Sequence, residues 1–244
     1  MLIACDASQL EWRTAVELSG DQVGLTEIVE GLDTHSLNQV AFDLPSRLIA
    51  KIYLFRTIFR GSGFAFANDP AFMHVSSDPK FWDEIGRKFY AKYHRLNEWH
   101  HELSELVWSS EPIVGPTGRE WLITPTRDWR GDLKLPWTVF TNYPVQGTGA
   151  DVMMLARLSF HLRLRKAGIP ALLVSTVHDD IKVDTLSMYV DTVVELFYAV
   201  FADLVTNIRR CFGYDWQTPL ACEVKVGPNM KNMKKVDRGV SYVV

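Results

Sequence analysis

Asp6-Ala7-Ser8-Gln9-Leu10-Glu11, close to the start of the chain, and His178-Asp179-Asp180, far along it, are the stretches on which the fold turns. Ile3 to Asp6 reads as the end of a short buried strand, and Ser8 to Leu18 continues as a helix. Ala171 to Val177 reads as an apolar strand and Ile181 to Asp184 as a second, alternating one. His178, Asp179 and Asp180 fall at the turn between them. An acid at a strand end and another on a hairpin meet when their strands are neighbours, which brings them to within about 5 Å. Like charges so placed repel, so a cation is expected between Asp6 and Asp179. Magnesium suits that place, because it takes a few carboxylate oxygens and fills its other positions with water and phosphate.

Working outward, Arg47, Lys51, Phe55 and Phe59 step by fours along a helix expected from Ser46 to Phe59, closed by Arg60-Gly61-Ser62-Gly63. A four-residue step drifts about 40° around a helix, so these side chains share one slowly winding face. Like charges at i, i+4 near a helix N-terminus are disfavoured. They make sense if a triphosphate arrives there, with the aromatic pair free to stack on a base. In Asn142-Tyr143-Pro144-Val145-Gln146-Gly147-Thr148-Gly149-Ala150-Asp151, the small residues let another backbone approach. Asn142 and Gln146 are amides able to donate to minor-groove acceptors common to all base pairs. Each feature also has a plain structural reading. Asp favours turns, the basic-then-aromatic helix reads as one solvated and one buried end, and small residues serve helix packing. Glu11 and His35 taken singly are ordinary polar residues. Together, carboxylates plus a cationic-then-aromatic helix face point to phosphoryl transfer from a nucleotide.

Elsewhere, Asp33 to Ala41 reads as helical, residues 64–79 as a loop, and Phe81 to Val107 as one helical period. Gly115 to Arg119 reads as a hairpin turn between Ile113-Val114 and Trp121-Leu122-Ile123. Residues 142–166 form a long helix stopped by Gly168-Ile169-Pro170, and Val190 to Ile208 carry the stripe of a further helix. Cys222 to Val226 alternate as a final strand. Short acid-bearing strands with helices inserted between them give an α+β fold with an antiparallel sheet and a helical insertion over residues 31–130.

At 244 residues, 47% hydrophobic and 12% aromatic, the chain is globular in composition. It has no apolar run near the roughly 18–20 residues that span a membrane, and its first residues do not read as a secretion signal. Cys5, Cys211 and Cys222 are scattered, which argues for a reducing compartment and against a zinc site. A net charge of −3 does not by itself call for nucleic acid, so any such role rests on local patches or on a second subunit. The sequence holds no GxGxxG and no Gly-Lys-Ser/Thr phosphate loop.

These motifs together resemble the family A DNA polymerases. Asp6 to Arg13 resembles the family's first palm motif, usually DYSQIELR, and Asp33-Thr34-His35 its D-x-H. Arg47-x3-Lys51-x3-Phe55-x3-Phe59 resembles the nucleotide-binding helix of the fingers, Asn142 to Asp151 the N-x-P-x-Q-G-T-A-A-D motif, and His178-Asp179-Asp180 the His-Asp-Glu hairpin. The resemblance implies a palm over residues 1–30 and 131–244 with fingers over 31–130. It implies that Asp6 and Asp179, with the Ala7 carbonyl, hold two magnesium ions. Lys51 then joins them as a catalytic residue able to protonate the leaving group. His35, Arg47, Lys51, Phe55, Glu11 and Gln9 bind the incoming dNTP, with Glu11 as the gate against ribonucleotides. Phe59, Asn142, Gln146 and His178 contact primer–template DNA, and Gln9 also lies near it.

The sequence departs from the family pattern at Ala7 (usually Tyr), Asp180 (Glu), Phe59 (Tyr) and Arg60 (Gly). None of these removes a metal ligand. Only five residues precede Asp6. The expectation is therefore one half of a split, phage-type polymerase acting in the cytoplasm, without thumb or exonuclease. A partner chain would supply the thumb and a possible 3′–5′ exonuclease. A primer–template binding module without catalysis and a metal-dependent phosphohydrolase are the competing readings.

Overall fold

The computed structural model describes residues 1–236. In chain order the elements are β1 (Leu2–Ala7), α1 (Leu10–Ser19), α2 (Gln22–Val29), α3 (Thr34–Ala41), α4 (Arg47–Thr57), α5 (Gly63–Ala67), α6 (Pro79–Lys92) and α7 (His94–Ser109). Two short hairpins follow, β2 (Ile113–Val114) with β3 (Glu120–Trp121), and β4 (Thr126–Arg127) with β5 (Leu133–Lys134). Then come α8 (Trp137–Ala167), β6 (Ala171–Val177), β7 (Asp180–Thr185), α9 (Val190–Ala202), α10 (Leu204–Phe212), β8 (Cys222–Gly227) and β9 (Lys234–Lys235). The chain divides into two compact units: Met1–Leu10 with the segment from Thr148 onward, and Glu11–Gly147.

The first unit is built on an antiparallel sheet of order β6-β7-β1-β8-β9. Alternation sends Ile3, Cys5 and Ala7 of β1 to one face, where they join Ile181, Val183 and Val224 in an apolar core. Val152, Ala156 and Phe160 of α8 and Phe197, Val200 and Phe201 of α9 close that core. The Phe160 and Phe197 rings stack at 3.9 Å. The single helix expected over 190–208 is two, because the chain turns at Asp203, whose N–H is shared between the carbonyls of Ala199 and Val200. The apolar period runs straight through that break, so it carried no mark of it.

The second unit is helical around an aromatic core. Tyr53 of α4 lies 4.8 Å from Phe66 and 5.8 Å from Trp82, which fixes α4 against α5 and α6. Residues 64–79 are not all loop: Ser62 caps α5 by accepting from Ala65 N–H, and Phe66 is buried. The helix expected over 81–107 is two, broken at Tyr93. That ring is fully buried, and its hydroxyl shares its one proton between the Glu27 carboxylate (3.0 Å) and the Asn38 amide oxygen (2.9 Å). Asp21 serves two helices, accepting from Gly24 N–H of α2 and Leu96 N–H of α7. The long helix starts at Trp137, ahead of the expected 142, with Pro144 inside it. Gly147 is small for a different reason than expected. A Cβ there would lie 2.4 Å from the Trp121 ring, so a side chain rather than a backbone approaches.

Arg60 is the unusual residue of this unit. Its φ of 59° is left-handed, a conformation glycine takes freely and arginine does not. The side chain compensates by folding inward, stacked over Tyr90 (4.5 Å) and Trp137 (4.8 Å). It donates from Nε to His100 (3.1 Å) and from Nη2 to Asn97 (2.8 Å). It also lines a cavity of about 760 Å³ with Tyr53, Asp83 and Tyr90. Arg60→Ala keeps the strained backbone and loses the anchor, so it should destabilise by about 2–3 kcal/mol in urea titration. Arg60→Gly should be milder by about 1 kcal/mol. Equal losses from the two variants would show that the backbone stores no strain.

Candidate functional site

The site in the first unit follows from strand register. Asp6 of β1 pairs with Asp180 of β7 on one side and Glu223 of β8 on the other. Three acids thus form a row across three strands, on the face opposite Ile3, Cys5 and Ala7. One step along, Ala4 pairs with Lys182 and with Lys225, so a small residue sits between two lysines. The lysines neutralise the outer acids: Lys182 pairs with Asp180, while Lys225 (3.2 Å) and Lys235 pair with Glu223. The central carboxylate of Asp6 has no hydrogen bond or ion pair among the described residues. Partial burial, then Asp179 and Asp180, push its carboxyl above the usual carboxylate range; Glu223 adds to this and Lys225 opposes it.

Asp179 joins this corner through the backbone. The Ala7 N–H donates to the Asp179 carbonyl at 2.9 Å, continuing the β1–β7 ladder past its last pair. Val177 and Asp180 are partners, so His178-Asp179 is a two-residue hairpin loop. His178 has φ of 53°, a conformation that glycine usually supplies at such a position. Gln9, just beyond β1, has φ of 52°. Two non-glycine residues in left-handed conformation thus flank the acidic corner in sequence, and such strain gathers at functional sites. Asp180 presents one oxygen to Lys182, and its other, Oδ1, is buried without a partner. Among the described residues, no group of three or more His, Cys, Asp or Glu converges as a ready metal shell.

The remaining candidates, except Gln9 and His178, belong to the helical unit. Asp33 caps α3, accepting from His35 N–H (3.2 Å) and Ser36 Oγ (2.6 Å). It also accepts a two-pronged contact from Arg47, Nε at 2.6 Å and Nη2 at 3.0 Å, which holds its carboxyl well below the usual range. Lys51, one turn on, is exposed and makes no ion pair among the described residues. Phe55 is half-buried against His35, ring centres 5.9 Å apart. The ladder is shorter than expected: α4 ends at Thr57, so Phe59 lies in the turn beyond it, packed on the core. The Thr57 carbonyl is taken by the Tyr90 hydroxyl, and Gly61 N–H closes back on Arg56.

His35 is 2% exposed, with Nδ1 buried and unpartnered. Burial first, then Arg47 and Lys51, lower its pKa to about 4, so at neutral pH it is an uncharged support beneath Phe55. Glu11 and Gln146, read separately in sequence, are joined: the Gln146 amide donates to the Glu11 carboxylate. Asn142 lies half-buried one turn earlier on α8. Sequence reasoning missed Lys182, Lys225, Glu223 and Lys235. The period-two order of Asp180-Lys182-Asp184 and Glu223-Lys225 was the available signal.

A family model described as DNA polymerase family A matches residues 1–232. DNA polymerase I of Chloroflexus aurantiacus is 24% identical over 97% of this chain and 25% of its own length. DNA polymerase I of Aquifex aeolicus is 28% identical over 75% of this chain and 32% of its own. The chain thus spans between a quarter and a third of these relatives. A solved structure, the POL domain of Pol1 from M. smegmatis in complex with DNA primer-template and dNTP, superposes with a TM-score of 0.75 at 16% identity. That likeness covers 93% of this chain and 39% of that one, and it shows the fold.

The state of His35 sets a pH dependence. Its folded pKa of about 4 lies below its ordinary 6.5, so its contribution is complete above 6.5 and is lost as pH falls towards 4. Denaturant titration should show a loss of up to about 3 kcal/mol across that window. His35→Gln should flatten this part of the profile; an unchanged slope in the variant would assign the loss to other groups.

Proposed function

The chain belongs to DNA polymerase family A, and from that premise we propose that it carries out template-directed addition of dNTPs to a primer 3′-hydroxyl. The observation that carries the reading is the carboxylate of Asp6, which no lysine pairs among the described residues, while Asp180 and Glu223 on the strands either side are each paired with lysine.

The donor set fits magnesium. Asp6 lacks an ion-pair partner among the described residues, Asp179 lies at the same corner, and both offer the hard oxygens that the ion prefers. Asp6 and Asp179, with the Ala7 carbonyl, would hold two ions. Magnesium held there would supply a lowered pKa for the primer hydroxyl and charge neutralisation for the departing pyrophosphate. Asp180, tied to Lys182, stays outside that set. Lys51 supplies a free ammonium for the triphosphate and a proton for the leaving group. Arg47, oriented by Asp33, presents the phosphates with a guanidinium already fixed in place. His35 holds Phe55 against the incoming sugar and base without adding charge. Glu11, positioned by Gln146, guards the 2′ position. Gln9, His178, Asn142, Gln146 and Phe59 line the path of primer and template.

On this reading residues 1–30 and 131–244 are palm and 31–130 are fingers. In this proposal a second polypeptide supplies the thumb, with or without a 3′–5′ exonuclease, in a split, phage-type arrangement working in the cytoplasm.

Two measurements test this. The first is thermal. Asp6 has a raised carboxyl pKa, so its ionised form opposes folding above that pKa and Asp6→Asn should melt higher at pH 7 without metal. Magnesium should raise the wild-type midpoint and leave the variant unmoved; the opposite order of midpoints defeats the assignment. The second is single-turnover primer extension by the chain assembled with its complementing polypeptide. Asp179→Ala should lose about a thousand-fold, and Lys51→Ala should weaken both dNTP binding and turnover. Normal extension by Asp179→Ala would refute the metal site. Primer–template binding indifferent to magnesium and dNTP, without extension, would favour the non-catalytic module.

A further inference from the structure

The part of α8 in the sheet unit is apolar on two opposite faces. Val152, Ala156, Phe160 and Leu164 are no more than 2% exposed and pack into the core. Met154, Leu158 and Leu162 also step by fours, but they are 52%, 53% and 56% exposed. At about 100° per residue the centres of these two stripes lie about 180° apart. A surface helix needs only one apolar face, so the second stripe calls for a partner. Beside it, on one flank, run Arg157, His161 and Arg165, all exposed. None of the three makes a hydrogen bond or ion pair among the described residues. Arg165 complements the carbonyl end of the helix, but Arg157 and His161 lie more than a turn before that end, where the dipole has faded.

We propose that this strip docks an acidic amphipathic helix of a second polypeptide, the one that completes the polymerase; the inference rests on the function proposed above. Three apolar knobs one turn apart, about 12 Å end to end, match the apolar face of a helix laid alongside. The basic flank selects carboxylates on the incoming helix and steers its approach. A second copy of this chain fits poorly, since antiparallel pairing about a two-fold axis would set the basic row against itself. Duplex DNA would use the cations and leave Leu158 and Leu162 without a role.

The test uses a synthetic amphipathic helix with leucines on one face and glutamates on one flank, with a lysine-flanked version and a duplex DNA as comparison probes. Fluorescence anisotropy with the full chain should show the acidic peptide bound at least tenfold more tightly than the basic one. Leu158→Glu should lose that binding at least tenfold, with circular dichroism unchanged. Arg157→Glu with Arg165→Glu should invert the preference between the peptides. Equal binding of both peptides, no binding, or indifference to Leu158→Glu overturns the proposal. So does displacement of the acidic peptide by the duplex, or self-association through this strip in sedimentation. Asp179→Ala should bind the peptide like the wild type, so failure here and failure of the polymerase reading are told apart.

Discussion

β1 is the central strand of its sheet, hydrogen-bonded along both edges, and its register decides what the rest of the molecule can do. Ile3, Cys5 and Ala7 must point into the core, which forces Asp6 to the other face. A slip of one residue would bury the aspartate and expose the apolar set, so hydrophobic burial fixes the position of the acid. The same register lines Asp180 and Glu223 up beside Asp6, and it places Lys182 and Lys225 one step behind. Packing on one face therefore writes the charge pattern on the other.

The helical unit uses a different device to the same end. An aromatic core around Tyr53, Phe66 and Trp82 holds α4, so Arg47 and Lys51 project from a fixed helix rather than a loop. At its far end the chain must reverse. Where the family pattern has glycine, Arg60 adopts the left-handed conformation and is anchored between two aromatic rings. The backbone requirement is kept while its usual residue is not. The replacement adds a tie between the end of α4, α7 and the start of α8.

Local and periodic features were legible in the sequence. The short apolar run before Asp6 and the alternation after Asp179 marked the strands, Asp33 marked a helix start, and Gly168 marked a helix end. What could not be read depends on distant partners. The break at Tyr93 answers to Glu27 and Asn38, and that at Asp203 leaves the apolar period intact. The meaning of Gly147 lies in Trp121, and Glu11 meets Gln146 only once the chain has folded. The lysine row was present as a period-two pattern, but it reads as ordinary strand solubility until the register shows which acid each lysine faces.

That register also explains how a mildly acidic chain can keep a concentrated acidic corner folded. A row of three carboxylates would repel if each remained alone, yet two are answered from within the sheet by lysines on the same strands or the next. Only the middle one is left without a lysine among the described residues. Were Asp6 also paired with a lysine, the corner would lose the bare carboxylate on which the proposed metal site rests. Were Asp180 and Glu223 left bare, the sheet would carry an uncompensated charge whenever metal was scarce. Lysines two residues along from the outer acids, with an alanine between them behind Asp6, keep the outer charges paired and the central one bare, so the smallness of Ala4 belongs to this charge pattern as much as the charge of Asp6.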